Sequence, residues 1–238
     1  MTVTRVLIVD DQPVIRSGLH TLLGTTDDLD VVGEASDGAE AVSAARKLQP
    51  DIVLMDLEMP NVGGIDATLQ LLRIENPPKI IILTTFNTND AVLGALEAGA
   101  SGFLLKTVNP QELITSIRSV AAGASVLSFD ILKRVTGRSA ARVPIRVRDL
   151  TKKVAALREG ELKVLSLVGG GLTNQEIAEA LSLSVTSVKT YVSRILSRLG
   201  LNNRTQAAIL AYDLGIASSD PANLDIQLPD AGNSEPTP

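Results

Sequence analysis

The first stretch of this chain with chemical content is Asp51-Ile52-Val53-Leu54-Met55-Asp56-Leu57-Glu58-Met59-Pro60, an apolar run that ends on a carboxylate and breaks at a proline. Four apolar residues bounded by charge and turn residues fit a central parallel strand, with Asp56 where the strand emerges. Ligand sites in doubly wound folds lie at the carboxyl ends of such strands. Other apolar runs end in comparable groups: Arg5 to Val9 in Asp10 and Asp11, Lys79 to Thr85 in two threonines, and Gly102 to Leu105 in Lys106. Three crowded carboxylates raise one another's pKa unless a cation sits among them, and oxygen-only ligation with room for water suits Mg2+. With a lysine and a hydroxyl beside it, such a pocket is a phosphoryl site. Asp56 is then the nucleophile, Mg2+ neutralises incoming phosphoryl oxygens, Lys106 takes another oxygen and the Thr84 hydroxyl a third, while Glu58 supplies its main-chain carbonyl to the metal.

These groups meet only if the chain winds strand and helix in alternation, and the first half has that beat. Strands are expected at Arg5 to Val9, Val31 to Ala35, Ile52 to Met55, Lys79 to Thr85 and Gly102 to Leu105. Helices are expected at Pro13 to Leu23, Gly38 to Leu48, Ile65 to Ile74, Thr88 to Ala98 and Pro110 to Ala122, the last with proline in its first turn. Five such units within residues 1–123 predict an α/β fold with a doubly wound five-stranded parallel sheet of flavodoxin-like form. Strand side chains alternate, so only one of Thr84 and Thr85 can face the site.

Composition narrows the classes further. The 238 residues suit two ordinary domains; there is no Cys, hence no disulfide framework, and the one His, His20, excludes a multi-His zinc cluster. His20 lies between Leu19 and Leu22, away from the strand ends, and reads as structural or surface. No apolar run reaches the roughly 18 residues of a membrane span, and the N-terminus leads into a strand rather than a signal segment, so no membrane partner and a cytoplasmic location are expected. The net charge of -5 hides an asymmetry: residues 1–123 hold 8 Lys/Arg against 16 Asp/Glu, residues 124–217 hold 14 against 7, and residues 218–238 hold none against 4. The basic part is the candidate for a polyanion such as nucleic acid.

Residues 1–123 resemble the receiver domain of two-component response regulators. The resemblance is carried by Ile8-Val9-Asp10-Asp11, by Leu54 to Pro60 with Gly63-Gly64, by Leu83-Thr84-Thr85 and by Ala98 to Lys106. It implies that Asp56 accepts a phosphoryl group from the phosphohistidine of a sensor histidine kinase, with Asp10 and Asp11 holding Mg2+. It favours Thr84 over Thr85 and makes Thr84 and Phe103 a switch, the hydroxyl moving to the phosphoryl group and the ring turning inward behind it. Receivers often place proline after the lysine, giving a cis peptide; here Thr107 follows Lys106, and nothing requires a cis bond.

Beyond Gly123, Phe129, Ile131, Leu132 and Val135 predict a short helix within Ser128–Val135, and residues 137–153 carry six basic groups without a clean period. Residues 124–153 therefore read as a basic linker and residues 154–217 as a small all-α domain. Its helices are expected at Glu159 to Gly169, Asn174 to Leu181 with Thr173 and Glu176 as capping box, Val185 to Leu199 after Ser184, and Thr205 to Leu214. A short helix, a tight turn at Ser182-Leu183-Ser184 and a longer helix bearing Lys189, Arg194 and Arg198 form a helix-turn-helix whose second helix should enter the major groove. Residues 218–238, polar and acidic with four prolines, read as a disordered tail.

The run Leu172 to Leu181, Ser184 to Ser193, Ile195 to Gly200 and Asn203 to Ala208 resembles the LuxR/NarL (FixJ)-type DNA-binding domain. Val188, Val192, Ile195 and Leu199 share one face of the long helix and must be core. Lys189, Thr190 and Ser193 are left to meet base edges, and Arg194 with Thr186 to meet phosphates, since phosphate contacts position and base contacts specify. The chain departs from the family at Arg158, where a threonine cap is usual, at Gly160, which predicts a frayed first turn, at Tyr191, where a histidine is usual, and at Ser187, where a threonine is usual.

Together the parts predict a DNA-binding transcriptional regulator rather than a turnover enzyme. Phosphorylation of Asp56 would control homodimerisation, through the last helix, and promoter binding. Two rivals are weighed against it. An aspartyl-phosphate hydrolase wants its nucleophile at the first strand with a second Asp two residues on, and residue 12 is Gln. A phosphorylation-independent regulator whose receiver binds a ligand or protein would more often lack the acidic pair or the lysine.

Overall fold

Helix and strand follow the expected alternation closely in the computed structural model, which describes residues 3–85, 89–127, 147–221 and 224. The chain divides into two compact units, Met1–Gly137 and Arg138–Pro238. The helix expected within Ser128–Val135 and nearly all of the tail beyond Pro221 lie outside the described residues.

In the first unit, strands β1 (Thr4–Val9), β2 (Leu29–Ala35), β3 (Ile52–Met55), β4 (Lys79–Thr84) and β5 (Gly102–Leu105) form a parallel sheet in the order 2-1-3-4-5. Helices α1 (Pro13–Leu23), α2 (Gly38–Leu48), α3 (Gly64–Leu71), α4 (Asn89–Ala98) and α5 (Pro110–Ala121) flank it. All of β3 is buried, as a central strand covered on both faces must be. Val6, Ile8, Leu54, Ile81, Leu83 and Leu104 pack against Leu23 of α1 and Leu113, Ile114, Ile117 and Val120 of α5. Their neighbours of opposite phase, including Leu7, Val53, Met55, Ile80 and Ile82, are equally buried and face the other layer. The order reverses between β1 and β3, so the residues following those two strands sit at the topological switch point.

Local chemistry sets the helix ends. Asp37 accepts from the Glu40 N–H to start α2, and Asn109 accepts from the Glu112 N–H to start α5, with Pro110 in its first turn. Lys79 Nζ donates to the Val120 and Ala121 carbonyls, both at 2.8 Å, placing a cation at the C-terminus of α5. Helix α3 stops at Leu71, short of the expected Ile74: the Arg73 and Ile74 N–H groups donate three residues back, to the Gln70 and Leu71 carbonyls, so the chain leaves the helix through tight turns before Pro77 and Pro78. After Gly123, at a φ of 94°, the chain returns along the sheet edge and a two-residue strand β6 (Val126–Leu127) pairs parallel with β5. The sheet thus reaches past residue 123, where the sequence places its end.

The second unit holds α6 (Val147–Ala155), α7 (Glu159–Gly169), α8 (Asn174–Leu181), α9 (Val185–Leu199) and α10 (Arg204–Asp213). Helix α6 revises the linker reading. Leu150 and Val154 enter the helical core with Val164, Leu165, Ile177, Val188, Ile195 and Leu210, so the domain extends back before residue 154. Val147, Leu150 and Val154 stand at spacings of three and four, a helical period present in the residues that the run of basic groups around Pro144 obscures. The start of α7 is held by Glu161, a buried carboxylate that accepts from the Arg158 N–H at 2.9 Å and pairs with Arg198 Nη1 at 2.5 Å. The fraying expected from Gly160 is met by that anchor.

The glycine run closing α7 is a packing surface. A Cβ on Gly170 would lie 2.0 Å from the Ser218 carbonyl oxygen, and one on Gly169 would lie 2.6 Å from Ala211 Cβ. The Ser218 N–H donates to the Ser166 carbonyl at 3.1 Å, so the segment after α10 crosses the end of α7 backbone to backbone. Gly170→Ala is therefore expected to force that crossing apart and to cost about 1–3 kcal/mol, the usual range for overpacking. Thermal unfolding of the variant checks this through a lowered midpoint.

Candidate phosphoryl site and DNA interface

The carboxyl ends of β1, β3 and β5 bring together the groups that the sequence proposes. Asp10 and Asp56 are 2 % and 4 % exposed, whereas Asp11 faces outward. One carboxylate oxygen from each of the three can be chosen so that all lie within 4.8 Å of one another. Lys106, the first residue after β5, bridges the inner pair, its Nζ 2.5 Å from Asp10 Oδ2 and 2.8 Å from Asp56 Oδ2. The remaining oxygens are used as well: Asp10 Oδ1 accepts from the Gln12 N–H and Asp56 Oδ1 from the Leu57 N–H. Three carboxylates with main-chain neighbours suit a hard divalent cation such as Mg2+.

Electrostatics here is a contest between burial and pairing. Burial pushes the Asp56 carboxyl above the ordinary carboxylate range, opposed by the hydrogen bond and charge of Lys106 and assisted by the charge of Asp10. Burial alone would lower Lys106, but its hydrogen bonds and charge pairing with Asp10 and Asp56 outweigh that and raise it. The ammonium is firmly charged, and it is what keeps two buried carboxylates tolerable.

The loop from β3 to α3 is fixed from several sides. The Gly38 N–H donates to the Val62 carbonyl, the Gly64 N–H to the Leu57 carbonyl, and Asn61 Nδ2 to Asp37 Oδ2. A Cβ on Gly64 would fall 2.1 Å from the Asp56 carbonyl oxygen, so α3 can begin against the back of Asp56 only because residue 64 is glycine. Glu58 lies in this loop with its side chain exposed.

Thr84 is fully buried at the end of β4 and Thr85 is exposed, so one of the pair faces inward as alternation requires, and it is the one that the receiver resemblance favours. Phe103 is fully buried in β5, between its register partners Ile82 and Leu127. All peptide bonds among the described residues are trans. His20 bonds through Nδ1 to Glu34 Oε1 at 2.9 Å; Glu34 Oε2 pairs with Arg16 Nε at 3.2 Å, and Arg16 Nη1 donates to the Asp10 carbonyl at 2.7 Å. Sequence reasoning missed Arg16 and Glu34. Arg16 acts on a main-chain carbonyl and Glu34, from another element, holds Arg16, and no residue pattern marks such contacts.

In the second unit, Ser182 at a φ of 54° makes the tight turn between α8 and α9, and the Thr173–Glu176 capping box and the Ser184 cap form as expected. Val188, Ile195 and Leu199 are buried and Val192 half-buried, while Thr186, Lys189, Thr190, Ser193 and Arg194 are exposed. Tyr191 is half-buried and packs on the core, its hydroxyl 3.4 Å from where a Gly160 Cβ would stand. Two departures from the family pattern thus touch each other, and neither lies on the exposed face of α9. In α10, Thr205 to Ala211 are all buried and Tyr212 is 40 % exposed. Arg204 at its start donates to Asn174 Oδ1 and the Leu172 carbonyl, and burial pulls its pKa down to about 10.

Fold and geometry together define a two-domain regulator, with an acidic strand-end pocket in one unit and a helix-turn-helix in the other. Comparison with known proteins supplies the family. The response regulator receiver domain profile matches residues 6–118, and that of the bacterial regulatory proteins of the luxR family matches residues 155–211. The transcriptional regulatory protein LiaR of Bacillus subtilis (strain 168) is 40% identical over 210 residues, covering 87% of this chain and 96% of LiaR. The response regulator protein VraR of Staphylococcus aureus is 37% identical over 208 residues, covering 87% and 96%. Among solved structures, the response regulator ChrA of a heme-sensing two-component system is 32% identical, covers 91% of this chain and 100% of its own, and superposes with a TM-score of 0.50. The chain belongs to the LuxR-type response regulators of two-component systems, transcription regulators with a receiver and a DNA-binding domain. Among the described residues, no helix is long and apolar enough to cross a membrane.

The raised native pKa of Asp56 has a signed consequence for stability. A raised carboxyl pKa contributes stability that is full below the unfolded value and lost as pH rises through the native value. Asn at residue 56 has no such titration. In metal-free buffer, Asp56→Asn is therefore expected to unfold at or above the wild-type temperature near neutral pH, with the gap closing as pH falls through the carboxylate range. Melts from neutral to acid pH check this, and a gap that widens on acidification would contradict it.

Proposed function

We propose that Asp56 is the phosphoacceptor and that its phosphorylation by a sensor histidine kinase controls promoter binding by α9. The observation that carries this reading is the Lys106 ammonium held between the Asp10 and Asp56 carboxylates. Asp10, Asp11, Asp56 and the Glu58 carbonyl would hold Mg2+, which supplies charge neutralisation of phosphoryl oxygens when bound. A carboxylate oxygen of Asp56 forms the new bond to phosphorus as the bond from phosphorus to the donor imidazole nitrogen breaks. Asp56 must be ionised to do so, and the bridging lysine supplies that against the cost of burial. Lys106 then pairs with a phosphoryl oxygen and the Thr84 hydroxyl donates to another, with Phe103 filling the space behind Thr84. The receiver promotes only its own phosphorylation and slow dephosphorylation.

On the output side, Lys189, Thr190 and Ser193 read base edges while Arg194 and Thr186 hold phosphates. Dimer contacts through α10 would pair two such domains about a dyad, and phosphorylation would govern that pairing.

Incubation with a small phosphodonor and Mg2+, followed by intact-mass measurement, is expected to give one phosphoryl adduct, absent in Asp56→Asn. Turnover of many donor equivalents would instead indicate a hydrolase, and no adduct would favour the phosphorylation-independent regulator. In DNA binding, Lys189→Ala is expected to lose about 1–3 kcal/mol on a selected duplex with little change on a scrambled one. Titrations of both duplexes compare the two losses.

A further inference from the structure

Between the start of α7 and the C-terminal half of α9 runs an open groove lined by Arg158, Glu161, Ser193, Arg194, Ser197 and Arg198. We propose that this groove is a second phosphate seat for the DNA backbone, with Arg158 a DNA contact outside the helix-turn-helix. The proposal rests on the DNA-binding reading above and deepens it.

The groove continues the exposed face of α9. Lys189, Ser193 and Ser197 lie four residues apart along one row, and Thr190, Arg194 and Arg198 along the next, so each step rises about 6 Å, a little over one turn. A recognition helix reads bases with its N-terminal residues. Its C-terminal turns leave the groove floor and meet the sugar–phosphate wall, where guanidinium forks and hydroxyls suit phosphate oxygens.

The state of the charges fits that task. Glu161 is buried and engaged by the Arg198 guanidinium and the Arg158 N–H, so its carboxylate is compensated and Arg198 is held in place. Among the described residues, no ion pair engages Arg158 or Arg194, and both are exposed. Two uncommitted guanidiniums and the Ser197 hydroxyl therefore line a wall stiffened by an oriented third arginine, beyond Ser193 where the base-reading row ends.

Arg158 is also the wrong residue for its local position. It is the N-cap of α7 and makes no side-chain cap hydrogen bond. Ser, Thr, Asp or Asn would cap better, and a cation beside a helix N-terminus opposes the helix dipole. A residue that costs its own helix stability and projects into a basic groove is explained by what the groove binds.

The test uses the full chain and two fluorescent duplexes, one selected from a random pool by the wild-type protein and one scrambled, titrated from 50 to 200 mM salt. Arg158→Ala and Arg194→Ala are each expected to weaken both duplexes several-fold by similar factors and to make the slope of log K against log salt shallower by about one. The double variant should lose about two. Arg158→Ser restores a capping side chain, so the same loss in a variant at least as heat-stable as wild type separates contact from folding. Wild-type affinity and slope in both Arg158 variants would overturn the groove while Lys189→Ala still abolished selectivity. Failure of the wild-type protein to bind any duplex would overturn the underlying reading and the proposal together.

Discussion

A single ammonium between two buried carboxylates organises the receiver half of this chain. Asp10, Asp56 and Lys106 come from three strands spread over 97 positions, and they meet because the parallel sheet places all its carboxyl ends on one edge. Taking three charges out of water is costly, and the arrangement stands because each oxygen and the ammonium have partners. The pair is weak as a source of stability, and the Lys106 ammonium offsets the cost of burying the Asp56 carboxylate beside that of Asp10. Gly64, Gly38 and the turn at Asn61 serve the same end by holding the Asp56 backbone still.

Much of this was legible in the residues because the physics is local to them. Apolar runs ending in Asp10, Asp56 and Lys106 place those groups at strand ends before any tertiary fact is known; alternation requires one of Thr84 and Thr85 to face inward, and the receiver resemblance picks Thr84, which is the buried one. The long helices of the second unit announced themselves through caps and apolar faces, and their bounds agree at α7, α8 and α9. Contacts made by backbone were not legible. The Arg16 bond to the Asp10 carbonyl, the return of Val126 and Leu127 along β5, and the crossing of Ser218 over Gly170 leave no residue pattern. Helix α6 escaped for a related reason, since its stability comes from docking Leu150 and Val154 into a core that only the folded domain provides.

The second unit meets a different constraint, that of presenting cations without collapsing onto them. Glu161 does this by burying its carboxylate and spending it on Arg198 and a main-chain N–H, which leaves the exposed arginines to solvent. Tyr191 resting on Gly160 keeps a bulky ring off the exposed face of α9, so two residues that look like separate irregularities act as one packing solution.

The scarcity of aromatic and imidazole side chains has a spectroscopic use. The chain has no Trp, and its two Tyr residues, Tyr191 and Tyr212, both lie in the second unit, while its one His, His20, lies in the first and is linked through Glu34 and Arg16 to the Asp10 carbonyl. Tyrosine emission thus reports on the DNA-binding half alone. The lone imidazole proton resonances report on the edge of the acidic strand-end pocket, without labelling or assignment by mutation. Each half carries its own intrinsic probe, so input and output can be followed separately in one unmodified molecule.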